Sequence, residues 1–270
     1  MPDIAILLLK AGLAVFVVVG ATMAAERAGP FWGALITSLP VSMGPIYVVM
    51  AIDQSDAFIT DSTLSSFAVH AAMPAFLAAG AVAATRVHPV FTVAAAIGMW
   101  GFTAWVIHLA TWTVATAIAL NIAAFIGVYL VTRIWARPGV AIPAPSRWFD
   151  LPLRALLVAS LTIIVSLSSA ALGPKAAGVL AVFPVVLFSA TIVLLARLGR
   201  AATAATLVGT VVPLIGLGLT PLTAHLTTPY YGSAIGLTLG FASTLGYSAI
   251  LILWHLRGPF LFRRERSGRL

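Results

Sequence analysis

The sequence predicts an all-α integral membrane protein in which two inverted four-helix repeats are joined by a linker helix, and three observations lead to that class. First, 61% of the residues are hydrophobic and 8% charged, with a mean hydropathy of +1.09. A chain this apolar has too little polar surface for water, so most side chains must face lipid or one another. Second, the same marks recur 144 residues apart. Lys10, Gly29-Pro30 and Leu39-Pro40-Val41 are answered by Arg154, Gly173-Pro174 and Phe183-Pro184-Val185. Pro74 is matched by Pro213 after a five-residue gap, and Gly101-Phe102-Thr103-Ala104 by Gly246-Tyr247-Ser248-Ala249 at an offset of 145. Their order and near-constant spacing, more than any single match, carry the duplication. Third, most arginines fall on one side when the apolar segments are laid alternately across a membrane.

A span needs about 20 mostly apolar residues, and nine segments meet that length: 4–24, 30–50, 62–84, 89–110, 113–134, 151–171, 175–196, 201–222 and 232–256. The first reads as a retained helix, not a cleaved leader, because Lys10 interrupts it and an internal segment beginning near Leu151 is its counterpart. Residues 137–150 contain Pro138, Pro143 and Pro145 and read as an extended linker. The organisation is therefore 1–110 for the first repeat, 111–150 for the linker helix and loop, 151–256 for the second repeat, and 257–270 for a basic tail.

Alternating the spans puts Arg27, Arg86, Arg133, Arg137, Arg147, Arg197, Arg200 and the arginine-rich tail on one side, which should be the cytoplasm. Asp3, Asp53, Asp56, Asp61 and Lys175 fall on the other, with the amino terminus outside and the carboxyl terminus inside. Five helices separate equivalent elements, so the second unit enters from the opposite face, a plan in which working sites lie between the repeats.

Pro40 and Pro184 each follow a Gly-Pro pair by ten residues. That is about 15 Å of helix, half the hydrocarbon thickness. Proline removes a backbone donor, so both helices should break at matching depths. Thr37, Ser38 and Ser42 flank the first break, with Ser189 and Thr191 near the second. These hydroxyls either line a solute path or re-satisfy freed carbonyls. Lys10 and Arg154 share one address in the two units, and either draw an anion to each mouth or anchor the helix ends by snorkelling. His70, close to Pro74, is either a neutral ring bonded to a carbonyl that Pro74 frees or a proton-coupling group. Asn121 reads as interhelical glue, and Gly101 with Thr103 and Gly246 with Ser248 as packing surfaces between the units. His108, Trp112, Tyr230 and Tyr231 suit the outer interface.

The chain has no cysteine, so thiolate metal sites and cysteine nucleophiles are excluded. It has no zinc-protease, serine-hydrolase or phosphate-loop motif, and no enzyme activity, cofactor or metal is expected. The net charge of +8 sits at membrane-side loops and the tail, which implies no nucleic-acid partner.

The first unit resembles the small four-helix inner-membrane proteins called GlpM. The resemblance rests on Lys10-Ala11, Gly33, Leu39-Pro40, Pro74 and the run Trp100-Gly101-Phe102-Thr103-Ala104-Trp105-Val106. It covers residues 4 to 110 and, more faintly, 151 to 256, where Leu245 and Ile250 replace Trp100 and Trp105. It implies a fused double version in a bacterial inner membrane and assigns no activity. The plan is also similar to fused fluoride channels and small multidrug exporters, in architecture alone. The expected function is a transporter or channel for a small solute, an anion being favoured by Lys10 and Arg154, with the path between the repeats. The alternative is a non-transporting assembly factor or scaffold for an envelope pathway. The partners are the lipid bilayer, the solute and, compatibly, further copies of the chain.

Overall fold

The computed structural model describes residues 4–27, 43–135 and 150–257, and its regular structure is entirely helical, with no strand among the described residues. The first group comprises α1 (Ile4–Arg27), α2 (Met43–Asp53), α3 (Asp56–His70), α4 (Met73–Arg86) and α5 (Pro89–His108). A separate helix, α6 (Val114–Trp135), follows. The second group comprises α7 (Asp150–Ala181), α8 (Val185–Arg197), α9 (Gly199–Gly209), α10 (Val211–Ile215), a 3₁₀ turn (Gly216–Gly218) and α11 (Leu219–Arg257).

Local chemistry sets the boundaries. Ser55 caps α3 by accepting the Phe58 amide at 3.3 Å. Pro74 and Pro89 sit in the first turns of α4 and α5, where a missing amide hydrogen costs nothing. Pro74 also leaves the carbonyl of His70 without its usual helical donor. The chain there tightens into a two-residue turn, with Ala71 and Ala72 bonded three residues back to Ala68 and Val69. Gly173 (φ 76°) and Gly232 (φ 80°) interrupt α7 and α11 with a backbone that side chains resist, dividing each into two stretches. Past Gly232, Asp56 accepts the Ser233 amide at 2.9 Å, which ties the outer end of α11's second stretch to the start of α3.

Among the described residues, five stretches are long and apolar enough to cross a membrane: 56–86, 89–108, 114–132, 171–197 and 211–254. They differ in place. The most apolar window of 56–86 is 72% buried, against 17% for 114–132, so α3 and α4 form the central rod and α6 lies at the periphery. Tyr47, Phe76, Ile46, Met50, Ile59, Leu77 and Val69 are fully enclosed around that rod.

Small groups bring α3 against the second stretch of α7. Ser65 and Ser66 donate to the carbonyls of Lys175 and Gly178 at 2.8 and 2.7 Å. A Cβ at Gly178 would collide with the Ser62 carbonyl, so only glycine permits this approach. Tyr47 completes the seam by donating to Ser66 at 2.5 Å.

Candidate functional site

His70 ends α3 at the centre of the bundle and is buried. Its Nδ1 lies 2.9 Å from Oδ1 of Asn121 on α6, and its Nε2 lies 3.0 Å from the carbonyl of Leu214 on α10. Phe125, one turn beyond Asn121, stacks on the ring at 5.2 Å. Gly218 covers the other approach so closely that a Cβ there would sit 2.8 Å from Nδ1. His70 thus joins α3, the connecting helix α6 and the second group at one point.

The orientation of Asn121 is fixed by its other bonds. Its Nδ2 donates to the carbonyls of Phe67 and Ala117 at 2.8 and 2.9 Å, and turning the amide over would set oxygen against both. The atom facing His70 is therefore an acceptor, and so is the Leu214 carbonyl. Both ring nitrogens meet acceptors, whereas a neutral imidazole has one N–H to give.

Two cavities approach this bridge from opposite ends. The first, about 260 Å³, is lined by Asp61, Ser65 and Val69 of α3, His108 of α5, Trp112, and Lys175 of α7. The second, about 220 Å³, is lined by Ala78 and Thr85 of α4, Thr132 of α6, and Ala201, Ala205 and Val208 of α9. Val69 precedes His70, and Ala78 follows the turn at Ala71–Ala72. Along α6, Asn121 lies about two turns from Val114 and about three turns before Thr132. The polar bridge therefore stands between the two spaces.

The other residues singled out in the sequence scatter more widely. Lys10 forms an ion pair with Asp53 at the end of α2, with side chains 16% and 29% exposed. Its charge has a partner, which removes the net attraction an anion would feel there. The side chain of Arg154 lies outside the described residues, as do Thr37, Ser38, Pro40 and Ser42. Arg197 stands 144 residues after Asp53, and its buried Nη1 has no partner.

Pro184 does mark a break, with the chain non-helical from Val182 until α8 begins at Val185. Ser189 and Thr191 donate to carbonyls of their own helix, at Val186 and Leu187, so these hydroxyls re-satisfy backbone locally. Neither lines the two cavities. Among the described residues a Cβ at Gly101 or Gly246 would meet no atom within 4 Å, while Ser248 is buried. Close approach is made instead at Gly178, Gly218 and Gly240, which meet a carbonyl, the His70 ring and the Thr220 carbonyl.

The partner of His70 also differs from expectation. The acceptor is not a carbonyl freed by Pro74 but that of Leu214, beside Pro213, the repeat counterpart of Pro74. Leu214 was not legible as a site because a backbone acceptor has no residue type of its own. The Gly-Leu-Gly run after Pro213 was the available signal of irregular helix. Among the described residues no group of three or more potential metal ligands is gathered. Comparison with protein-family models, curated proteins and solved structures found no match to this chain.

Proposed function

We propose that the chain is an integral membrane transporter or channel for a small solute, with its path along α6 through the junction of two inverted repeats. The observation that carries this reading is a pair of spaces placed on either side of one buried polar bridge along α3, α4 and α6, whose residues line neither. A scaffold needs only dry packing at its centre, whereas a solute path needs space from each end and a barrier between. Further support comes from the broken helices. Turns at Pro74 and Pro213 lie at matching places in the two units, and both adjoin the bridge. Broken helices meeting at a repeat interface are how many transporters present polar backbone inside a membrane.

The nine-span arrangement belongs to this proposal, with the cavity at Asp61 and Lys175 facing outward and the one at Thr85 and Thr132 facing the cytoplasm. Supporting it, the positive-φ glycines at 173, 199 and 232 fall in or beside the connections read from the sequence. The solute's charge is left open, because Asp53 offsets Lys10, one of two supports for an anion.

Single cysteines test the path, since the native chain has none. Thr111→Cys and Ala78→Cys place thiols at the two cavities. Impermeant maleimide should label the first from outside and the second from the cytoplasm, and a transported solute should change both rates. Labelling of neither, with no response across a panel of small anions, cations and zwitterions, would leave the scaffold reading in its place.

A further inference from the structure

We propose that His70 is a proton-binding site, and that the bound proton adds a hydrogen bond between the two units in the stretch between the cavities. The inference rests on hydrogen-bond direction. Asn121 is committed by two donated bonds and presents its oxygen to Nδ1, while the Leu214 carbonyl presents another to Nε2. Only an imidazolium, a donor at both nitrogens, satisfies every atom in this arrangement. A neutral ring leaves a lone pair facing an acceptor, a cost that opposes the cost of burying a cation in the same place.

No carboxylate fixes the cation permanently. On α3, Asp56 holds the Ser233 amide and Asp61 lines the outer cavity. On α6, Tyr129 lies about two turns beyond Asn121. α10 and the 3₁₀ turn carry no titratable residue. On α11, His225 bonds the Thr60 carbonyl and Tyr247 the Val212 carbonyl. Among the described residues no acidic or basic side chain bonds to the ring. A cation without a counter-ion, held by neutral oxygens alone, can release its proton, as a coupling site must.

The two nitrogens are not equivalent in this exchange. Asn121 cannot turn without losing Phe67 and Ala117, so Nδ1 keeps its hydrogen. Nε2 gives up its proton and forfeits the bond to Leu214, one of several links between the first unit and the second. Proton release thereby loosens the barrier, and uptake closes it.

The test is ¹⁵N magnetic resonance of the full chain in lipid bilayers with ring-labelled histidine. His70 is assigned among the five histidines by comparison with His70→Gln. Across roughly pH 4 to 10, both ring nitrogens should carry hydrogen at the acid end and Nε2 alone should lose it. Asn121→Asp, which supplies a counter-charge, should keep both protonated over about one to three further pH units. The rate of maleimide labelling of Ala78→Cys, divided by that of the same thiol in the His70→Gln background to cancel the thiolate's own pH dependence, should rise as Nε2 deprotonates. One protonated nitrogen at every pH, in the native chain and in Asn121→Asp alike, would overturn the proposal, as would labelling indifferent to the titration. The transport reading on which a coupling role rests fails separately: the titration with no flux of any solute would retain the proton site and dismiss the transporter.

Discussion

The break between α3 and α4 and the break between α9 and α11 fall at matching prolines, Pro74 and Pro213, yet they are built differently. The first is a two-residue turn, Ala71–Ala72, and it offers a side chain, His70. The second is drawn out from Thr210 to Gly218 through the short α10 and a 3₁₀ turn, and it offers a backbone carbonyl and a bare Gly218 surface. The difference shows what the centre of the bundle requires. Two like breaks would set like groups against like, two rings in one space or two carbonyls facing each other. Here one break supplies the ring and the other an acceptor with room for it.

The largest expected effect comes from making the second break resemble ordinary helix. Gly218→Ala introduces a Cβ 2.8 Å from Nδ1 of His70, and enclosure by Asn121 and Phe125 limits the ring's retreat. We expect a loss of about 2–3 kcal/mol, typical of overpacking a filled core, read as a lower midpoint of thermal unfolding in detergent. His70→Ala in the same chain should recover part of it; unchanged stability in Gly218→Ala alone would break the comparison.

A second comparison sets the outer end of the first unit against its counterpart. Lys10 is neutralised by Asp53, whereas the position 144 residues after Asp53 is Arg197. Asp53→Asn strips Lys10 of its partner at a site only partly sheltered, and we expect a loss of about 0.5–1 kcal/mol, shrinking in high salt because exposed pairs are screened. A loss independent of salt would mean that Lys10 is more deeply enclosed than 16% exposure implies. The smallest effect is expected at Gly101 and Gly246. Ala at either meets open space, so stability should hold or rise, by no more than about 1 kcal/mol from better helix propensity. A marked loss would restore these glycines as packing surfaces.

Much of the helical layout could be read from residues because its causes are local. Proline and glycine act through their own backbone, so the interruptions at Gly173 and Pro184 were visible in sequence, whereas the break around Pro213 falls inside the segment 201–222 that read as one span. The site was legible only in part. His70 stood out as an ionisable group deep in an apolar segment, and Asn121 as a polar one, but nothing local connects residues 51 positions apart. The Lys10–Asp53 pair joins residues 43 positions apart, and depends on how α1 meets α2. Gly101 and Gly246 illustrate a related point. A small residue permits close contact without compelling it, and whether a neighbour arrives is decided by the whole bundle.

The serine seam on α3 bears on the order in which the protein is made. Ser65 and Ser66 bond partners 110 and 112 residues later, and Asp56 waits for an amide 177 residues later. Most of the chain must therefore be synthesised before α3 meets α7 and α11. In the interval Ser66 has Tyr47 of α2 to turn to, and Ser62 bonds the carbonyl of Ile59 at 3.0 Å. A gene truncated after α6 would yield a first unit whose central rod faces lipid on the side meant for α7, with His70 lacking Leu214. Carrying both groups of helices in one polypeptide guarantees that the missing half arrives in equal number and within one round of translation.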